Sequence, residues 1–441
     1  MKKAIDFRVL KLALPTIVSQ ISLTLVQVVD MAFIGRLGPF PLAAVGIIIT
    51  LLWVIQAASQ GWGVGLTAII ARMEGQRDFS SLRIFFRTGI LSVLAMGILL
   101  LPFLYFFRQH LFQLINTPHE VLPYCEEYYL AIIGFLPFSF AFESFNAYFR
   151  ARGDSFTPMA AGLAMNLANI LFDWLLVFGV AGFPALGIAG AALASGISYI
   201  VGCLVLFFRS CKEIMNLEKL KDIYRLSYFY RIFAVSNAAV VERLAMSISQ
   251  LGVLTIAVNP MGGKSIAAFN IVMRLASLSF MPGFGFAISA SALTGQSLGE
   301  KQPEMARRYI WRSAFYCALI MIAISLLYYF LADPLFSIFT QDPVVVELAR
   351  PALQVYAIFA VFLSPTMVFG GGLRGAGDTR FSMYTMLLSR FVFRLPLAWL
   401  FGITLGYGLA GVWFAMCFDF FFRAIVFWIR LRQGKWQHLQ V

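Results

Sequence analysis

The chain has 441 residues, of which 60% are apolar and 12% are charged, and its mean hydropathy is +0.82. A soluble domain of this length cannot bury so much apolar surface in one core, so the composition excludes a water-soluble globular protein and indicates that lipid surrounds most of the chain. The net charge of +13 follows the distribution of basic residues among loops, which indicates membrane topology and excludes nucleic acid as a partner.

Apolar windows of about 20 residues recur along the chain, and this length spans a ~30 Å hydrocarbon layer as an α-helix. A transmembrane β-barrel would instead show alternating segments of about ten residues. The sequence therefore predicts an all-α membrane protein with twelve transmembrane helices. The predicted spans are 10–34, 42–70, 88–107, 121–149, 156–180, 186–208, 229–257, 264–294, 309–332, 343–373, 381–403 and 406–429.

Lysine and arginine residues are concentrated near both chain ends and in every second loop, whereas the other loops contain Arg36, Arg108 and Lys264. The concentrated set is Lys2, Lys3, Arg8, Lys11, Arg72, Arg77, Arg83, Arg87, Arg150, Arg152, Arg209, Lys212, Lys219, Lys221, Arg225, Arg231, Lys301, Arg307, Arg308, Arg312, Arg374, Arg380, Arg430, Arg432 and Lys435. Because basic loops stay on the cytoplasmic side, both termini are expected to be cytoplasmic, in a bacterial-type inner (plasma) membrane. The first span is expected to be retained, since no small-residue cleavage site follows it.

The sequence contains an internal repeat with an offset of 224 residues. LAAVGI at 42–47 aligns with IAAFNI at 266–271, and RARGD, ending at Asp154, aligns with RGAGD, ending at Asp378. Six spans per copy mean that both copies start on the same side, so the repeat is parallel, with its axis along the membrane normal. The predicted units are an N-terminal six-helix bundle over 1–208, a cytoplasmic linker over 209–228 and a C-terminal six-helix bundle over 229–441.

Several motifs occur in a fixed order on this layout. The first copy contains LALPTIVSQISLTLVQVVDMAFIGRLGPFPLAAVGI, RARGDSFTPM and LGIAGAALAS, and the second contains GGLRGAGDTR and RFVFRLPLAWLFG. Together they resemble the MATE (multidrug and toxic compound extrusion) family over residues 8–430. The resemblance implies a V-shaped pair of six-helix bundles around a central cavity that opens alternately to each side. It also implies an antiporter that exports small amphipathic or cationic compounds in exchange for H⁺ or Na⁺, with no other cofactor.

Two other functions fit parts of the sequence. The wider superfamily includes flippases for lipid-linked saccharides, but twelve spans with few basic residues inside them favour the exporter. An intramembrane enzyme would need clustered catalytic side chains, and His110, His119 and His438 all lie outside the predicted spans. The five cysteines are scattered and form neither a disulfide framework nor a metal-binding spacing. We therefore expect a monomeric transporter rather than an enzyme, with a small-molecule substrate and the lipid bilayer as partners.

Two aspartates lie inside predicted spans, where an ionised side chain is costly and therefore usually functional. Asp30 is about 20 residues into the first span and Asp173 about 16 residues into the fifth, which places both ~24–30 Å from the cytoplasmic end. The second copy has Leu254 and Leu397 at the equivalent positions. In the alternative interpretation, each aspartate only forms a hydrogen bond with a neighbouring helix.

Asn169 precedes Asp173 by four residues and shares its helix face, and Asn166 lies one turn further along. Na⁺ prefers several oxygen ligands, whereas a proton needs a buried carboxylate, so this set suits either ion. The family resemblance, which is nearer the DinF-like branch, implies a cation site formed by Asp30, Asn169 and Asp173, also as candidate Na⁺ ligands. It further implies a hydroxyl from the sixth span, where this chain has Ser195 instead of the expected threonine.

Further polar residues are candidates for the substrate cavity, which is otherwise expected to be apolar and aromatic. Asn146 matches a position that lines the first-bundle pocket in the family. Arg390 and Arg394 share one face of the eleventh span, ~13–20 Å deep, with Asp419 as a candidate partner. A buried ion pair and a substrate or anion contact both remain open for these arginines. Glu242 is the acid of the seventh span but does not stand where some family members have their second-bundle coupling acid.

Overall fold

The computed structural model describes residues 2–115, 117–215 and 224–439, and positions 216–223 of the predicted linker, including Lys219 and Lys221, lie outside the described residues. The α-helices are α1 (Lys2–Gly35), α2 (Pro39–Gln76), α3 (Phe79–Leu114), α4 (Leu122–Ile133), α5 (Leu136–Ala151), α6 (Phe156–Phe178), α7 (Gly187–Met215), α8 (Leu226–Val253), α9 (Gly263–Gly299), α10 (Pro303–Phe330), α11 (Ala332–Ser337), α12 (Pro343–Phe359), α13 (Leu363–Gly375), α14 (Thr379–Leu387), α15 (Leu395–Trp399) and α16 (Gly408–Gln433). The π-helical segments are Leu254–Val258, Leu388–Arg394 and Leu400–Thr404, and the 3₁₀ turns are Asn259–Met261, Ala360–Phe362 and Lys435–His438.

Within the described ranges, eleven helical segments are long and apolar enough to cross a membrane, and the bent pair of α4 and α5 makes a twelfth. The predicted all-α fold with twelve spans is therefore confirmed. Several helices extend beyond the apolar window that predicted them. The third span, for example, was predicted over 88–107 and is part of α3, which has 36 residues.

The fourth span is not one continuous helix. α4 and α5 meet at a bend of 53°, so the span predicted over 121–149 is broken into two helices. Pro137 lies in the first turn of α5, where proline is favoured because its missing N–H needs no partner there. The N–H of Phe135 donates instead to Ile132 O at 3.0 Å, which closes a tighter turn at the break.

The internal repeat is visible in the backbone of the turns between helices. Residues with left-handed φ recur at the 224-residue offset, and one such pair, Arg77 and Lys301, is not glycine although both have φ of 58°. Left-handed φ is uncommon outside glycine, so its recurrence at matching positions indicates that both copies fold through the same turns. The pairs are Gly38 and Gly262, Arg77 and Lys301, Gly153 and Gly377, and Gly182 and Gly406, followed by Gly187 and Gly408 after a three-residue slip.

The chain forms two compact units. One consists of Val18–Ile70 and Asp78–Ser236, and the other of Met1–Ile17, Ala71–Arg77 and Asn237–Val441. The first unit has α6 packed on α7 and α3 packed on α5, and the second has α9 packed on α10 and α13 and α12 packed on α16. Both α1 and α2 contribute residues to each unit, a division that the sequence did not indicate. The bundle boundaries at 208 and 229 remain a prediction.

Inside the second unit, the end of α2 contacts the end of α9 through two glycines. A Cβ on Gly75 would meet the backbone of Gln296, with its carbonyl carbon at 2.8 Å, and a Cβ on Gly299 would meet the backbone of Arg72 and Gly75. Gly75 and Gly299 are equivalent in the 224-residue repeat, and so are Arg72 and Gln296. The contact is therefore self-complementary, and it needs residues without a side chain at its centre because main chain touches main chain.

Candidate cation site

Asp30 of α1 and Asp173 of α6 bring their carboxyl groups within hydrogen-bonding distance of each other. The two helices also contact through the edge-to-face rings of Phe33 and Phe178, whose centroids are 5.6 Å apart. Asp173 is 1% exposed, whereas Asp30 is partly exposed. Asp30 and Asp173 are called the carboxyl pair below.

The Asn169 side chain lies between Asp30 and Ser195. With its nitrogen toward the carboxyl group, Asn169 donates to Asp30 Oδ1 at 3.0 Å, and this partner distinguishes the two ends of the amide. The other end of the amide is 3.4 Å from Ser195 Oγ. Ser195 shares a further hydrogen bond with the hydroxyl of Tyr128, which is buried. Polar contacts thus connect α4, α7, α6 and α1.

Local sequence positions these groups. Asn166, Asn169 and Asp173 belong to the buried face of α6, at spacings of three and four residues that match the helical period. Gly190 allows α7 to approach α6, because a Cβ there would be 2.5 Å from a main-chain carbonyl oxygen of α6. Asn166 donates to Ser22 Oγ of α1 at 2.7 Å. It therefore joins α6 to α1 about two turns away from the carboxyl pair.

The carboxyl pair has no basic partner among the residues that the structure describes. Over the part of the chain that the structure describes, no lysine or arginine pairs with Asp30 or Asp173, and Asp173 Oδ1 receives no hydrogen bond. A hydrogen bond between two carboxyl groups needs one proton for the pair, and two ionised carboxylates side by side in a water-poor site repel each other. The arrangement can therefore hold a proton, and its free oxygen together with the amide and hydroxyl offers the ligand type that Na⁺ prefers.

In the second unit, three arginines surround Asp419 of α16, and all four side chains are buried. Arg423 donates to both carboxylate oxygens of Asp419, at 3.0 and 2.8 Å. Arg390 and Arg394 lie 3.9 and 3.7 Å from Asp419 Oδ2. Arg394 also donates to Gln250 Oε1 of α8 at 3.0 Å. Arg390, Arg394 and Arg423 are called the arginine group below.

A π-helical segment carries two members of the arginine group. Arg390 and Arg394 belong to Leu388–Arg394, where the N–H of Leu395 donates to Arg390 O, five residues earlier. Pro396 follows at once and has no N–H to offer the carbonyl four residues before it, which favours the wider turn. Such segments redirect side chains and are frequent at functional sites.

Two other predicted residues lie outside both groups. Glu242 of α8 accepts a hydrogen bond from Arg374 Nη1 of α13 at 2.9 Å, so it is part of an ion pair. Asn146 of α5 is buried, and its Oδ1 has no hydrogen-bond partner among the residues described. Asn146 therefore makes none of the hydrogen bonds that link Asp30 to Tyr128.

A sequence model of the MatE family matches residues 15–175 and 238–400 of the chain. The chain belongs to the MatE family. Members of the MatE family are transporters, so the expectation that this protein is a transporter rather than an enzyme is confirmed. The two matched segments also correspond to the two copies of the internal repeat.

Similar proteins extend over nearly the whole chain. A protein of Thermotoga maritima named "Probable multidrug resistance protein NorM" is 28% identical, over 97% of this chain and 92% of that protein. The "Uncharacterized transporter YisQ" of Bacillus subtilis is 25% identical, over 92% of this chain and 90% of that protein. The structure of the Vibrio cholerae MATE transporter VcmN in its bent form superposes with a TM-score of 0.91 at 22% identity, over 98% of this chain and 97% of that one. This likeness confirms the MatE fold.

Part of the candidate cation site was predictable from the sequence of this MatE protein. Sequence reasoning named Asp30, Asn169, Asp173 and Ser195, which the structure brings into one hydrogen-bonded group. It missed Tyr128, because nothing in the local sequence distinguishes it from neighbouring aromatic residues of the same span. It also missed Arg423, although the four-residue spacing from Asp419 was readable as a helical ion pair, and it missed Gln250 and Ser22.

Proposed function

We propose that this MatE protein is a secondary active antiporter that exports small amphipathic or cationic compounds in exchange for H⁺ or Na⁺ by alternating access. Family membership supports transport, and the multidrug resistance name of the Thermotoga maritima relative supports export of varied compounds. The observation that carries the proposal is the carboxyl pair, because two carboxyl groups without a basic partner must take up a cation when they are buried. The distribution of basic residues among the loops favours cytoplasmic termini in the inner membrane.

The hydrogen-bonded geometry favours the proton as the coupling ion. One proton between Asp30 and Asp173 removes the repulsion and creates the hydrogen bond in a single step. When it leaves, the pair has to separate, gain water or accept another cation. Because Asn169 links Asp30 to α6 and α7, such a change displaces α1 relative to its neighbours in the same unit. This movement is the proposed link between ion binding and the transport cycle.

Na⁺ is the alternative coupling ion. Its ligands would be Asp30, Asp173 and, once the amide turns its oxygen toward the carboxyl groups, Asn169, with the hydroxyl of Ser195 as a fourth, and Asp173 Oδ1 is free to bind. A bound Na⁺ would have to replace the direct contact between the carboxyl groups. The two ions would thus compete for one site, and a transport assay that varies each gradient separately decides between them.

The test measures efflux of the fluorescent cation ethidium from proteoliposomes, driven by an imposed pH gradient or by an imposed Na⁺ gradient. We expect Asp30→Asn and Asp173→Asn each to reduce coupled efflux to the level of empty liposomes, because an amide cannot exchange a proton or supply the lost charge. The matched control is Asp333→Asn, an exposed aspartate in a surface ion pair with Arg350. Normal efflux by either carboxyl-pair variant, at normal protein levels, contradicts the proposal.

A further inference from the structure

The arginine group has more positive charge than its surroundings neutralise. Both oxygens of Asp419 accept a hydrogen bond from Arg423. Arg390 and Arg394 are then left with distances of 3.9 and 3.7 Å to the same carboxylate, beyond hydrogen-bond length. One carboxylate therefore serves three guanidinium groups, all of them at least nine-tenths buried.

The other acid that interacts with Arg390 does not correct this imbalance. Glu242 is close enough to Arg390 to interact with it electrostatically, but its carboxylate pairs with Arg374 at 2.9 Å. Four arginines thus share two acids, which leaves an excess of two positive charges in this part of the second unit. An unneutralised charge is strongly disfavoured at bilayer depth, so an excess of two calls for an anion.

The donors of the arginine group are also only partly used. The Nε of Arg390 points to the sulfur of Met386 at 3.2 Å, a weak acceptor. Arg394 donates to Gln250 through Nη2, while its buried Nε finds no acceptor among the described residues. A purely structural ion pair needs one arginine for Asp419, and Arg423 already fills that role. Arg390 and Arg394 have no such explanation.

We propose that the arginine group binds an anionic headgroup, a carboxylate or a phosphate, carried by an amphipathic molecule. Arg390 and Arg394 supply the planar donor forks that bind such oxygens in pairs, and Asp419 with Arg423 holds them in place. As a statement about substrate class, this inference rests on the proposed export function. It adds amphipathic compounds that carry a negative group to the exported substrates, while the carboxyl pair in the other unit binds the coupling cation.

The test compares two amphipathic probes that differ only in their end group, the anion pyrenebutyrate and the neutral pyrenebutanol. Binding to the full chain in phosphatidylcholine nanodiscs is measured by tryptophan-to-pyrene energy transfer, with empty discs subtracted. We expect the wild type to prefer the anion by about tenfold or more, the ratio that one charge-assisted hydrogen bond gives. Equal affinity for both probes overturns the proposal and needs no variant.

Variants locate the site. Arg390→Gln with Arg394→Gln should reduce the preference to below about threefold, since both free forks are removed. Arg390→Lys keeps the charge without the fork and should fall between the double variant and the wild type. The control is Arg307→Gln, an exposed arginine of the same unit, which should bind like the wild type. An unchanged preference in a folded double variant overturns the assignment to these arginines.

A final comparison identifies the source of the headgroup and separates this inference from the proposed function. Replacing phosphatidylcholine by the anionic phosphatidylglycerol should weaken pyrenebutyrate binding more in the wild type than in the double variant if an anionic lipid headgroup competes for the site. It should weaken binding equally in both, through repulsion at the disc surface, if the site selects a dissolved amphipath; both results support the anion site. Ethidium efflux by the wild type is measured in parallel. Coupled efflux without anion preference overturns only this inference, and anion preference without coupled efflux overturns only the antiporter.

Discussion

Removing the negative charge of Asp419 should destabilise the second unit more than removing the arginine that pairs with it. At an effective dielectric constant of about 20, two unit charges 4 Å apart attract by about 4 kcal/mol. Asp419 Oδ2 lies 2.8, 3.9 and 3.7 Å from Arg423, Arg390 and Arg394, so one carboxylate has three attractions of this order. Measured costs of breaking a buried pair are about 3–5 kcal/mol, and we expect Asp419→Asn to be in this range.

The variant Arg423→Met should be milder. It removes one of the surplus positive charges and leaves Asp419 beside Arg390 and Arg394, so we expect a loss of at most about 2 kcal/mol. The double variant Asp419→Asn with Arg423→Met removes one charge of each sign and should lie between the two single variants. This order differs from that of an isolated ion pair, in which either single substitution leaves one uncompensated charge.

The assay heats the detergent-solubilised protein and measures the remaining monodisperse peak by size-exclusion chromatography. The temperature at which half of the peak is lost is the midpoint. At roughly 2–4 °C per kcal/mol, Asp419→Asn should lower the midpoint by about 6–20 °C and Arg423→Met by a few degrees at most. If Arg423→Met lowers the midpoint as far as Asp419→Asn does, the charge excess is not real and the reasoning about the arginine group is refuted.

Two further predictions concern the hydrogen bonds of the candidate cation site and the packing of α2 on α9. Tyr128→Phe should slow coupled ethidium efflux by about two- to tenfold, because Ser195 loses a hydrogen bond worth about 0.5–1.5 kcal/mol. The control Tyr329→Phe, at an exposed tyrosine, should leave the efflux rate unchanged. Equal efflux rates for the two variants would show that the Tyr128 hydroxyl does not support the site. Gly75→Ala should lower the heat-inactivation midpoint because overpacking against the α9 backbone costs about 1–3 kcal/mol. Gly46→Ala, in open space on the same helix, should leave the midpoint unchanged or raise it, and a similar fall for both alanines would refute the close contact.

The sequence alone predicted the fold because a backbone that crosses a bilayer can adopt only a few structures. Apolar length predicted twelve spans, and the 224-residue offset predicted turns that recur with the same left-handed backbone. The break between α4 and α5 was missed although Pro137 signals it, because hydropathy alone does not register a missing N–H. The π-helical segments were missed for a similar reason, since their geometry depends on which carbonyl each N–H selects.

Helical spacing predicted the α6 side of the candidate site, since Asn166, Asn169 and Asp173 fall on one face at any reasonable placement of the helix. The partners on other helices could not be obtained in this way. Tyr128 reaches Ser195 only through the packing of α4 against α7, and packing depends on side-chain shape rather than on spacing. The family resemblance supplied Ser195 where periodicity could not.

The two copies of the repeat have diverged in electrical character. Asn166 of the first copy corresponds, at the 224-residue offset, to Arg390 of the second, and the positions equivalent to Asp30 and Asp173 are leucines. Guanidinium groups stay charged at every physiological pH, whereas carboxylic acids gain and lose hydrogen ions. At these matched positions, a change in pH can therefore alter the charge of the first copy, whereas Arg390 keeps its charge and the two leucines have none to change.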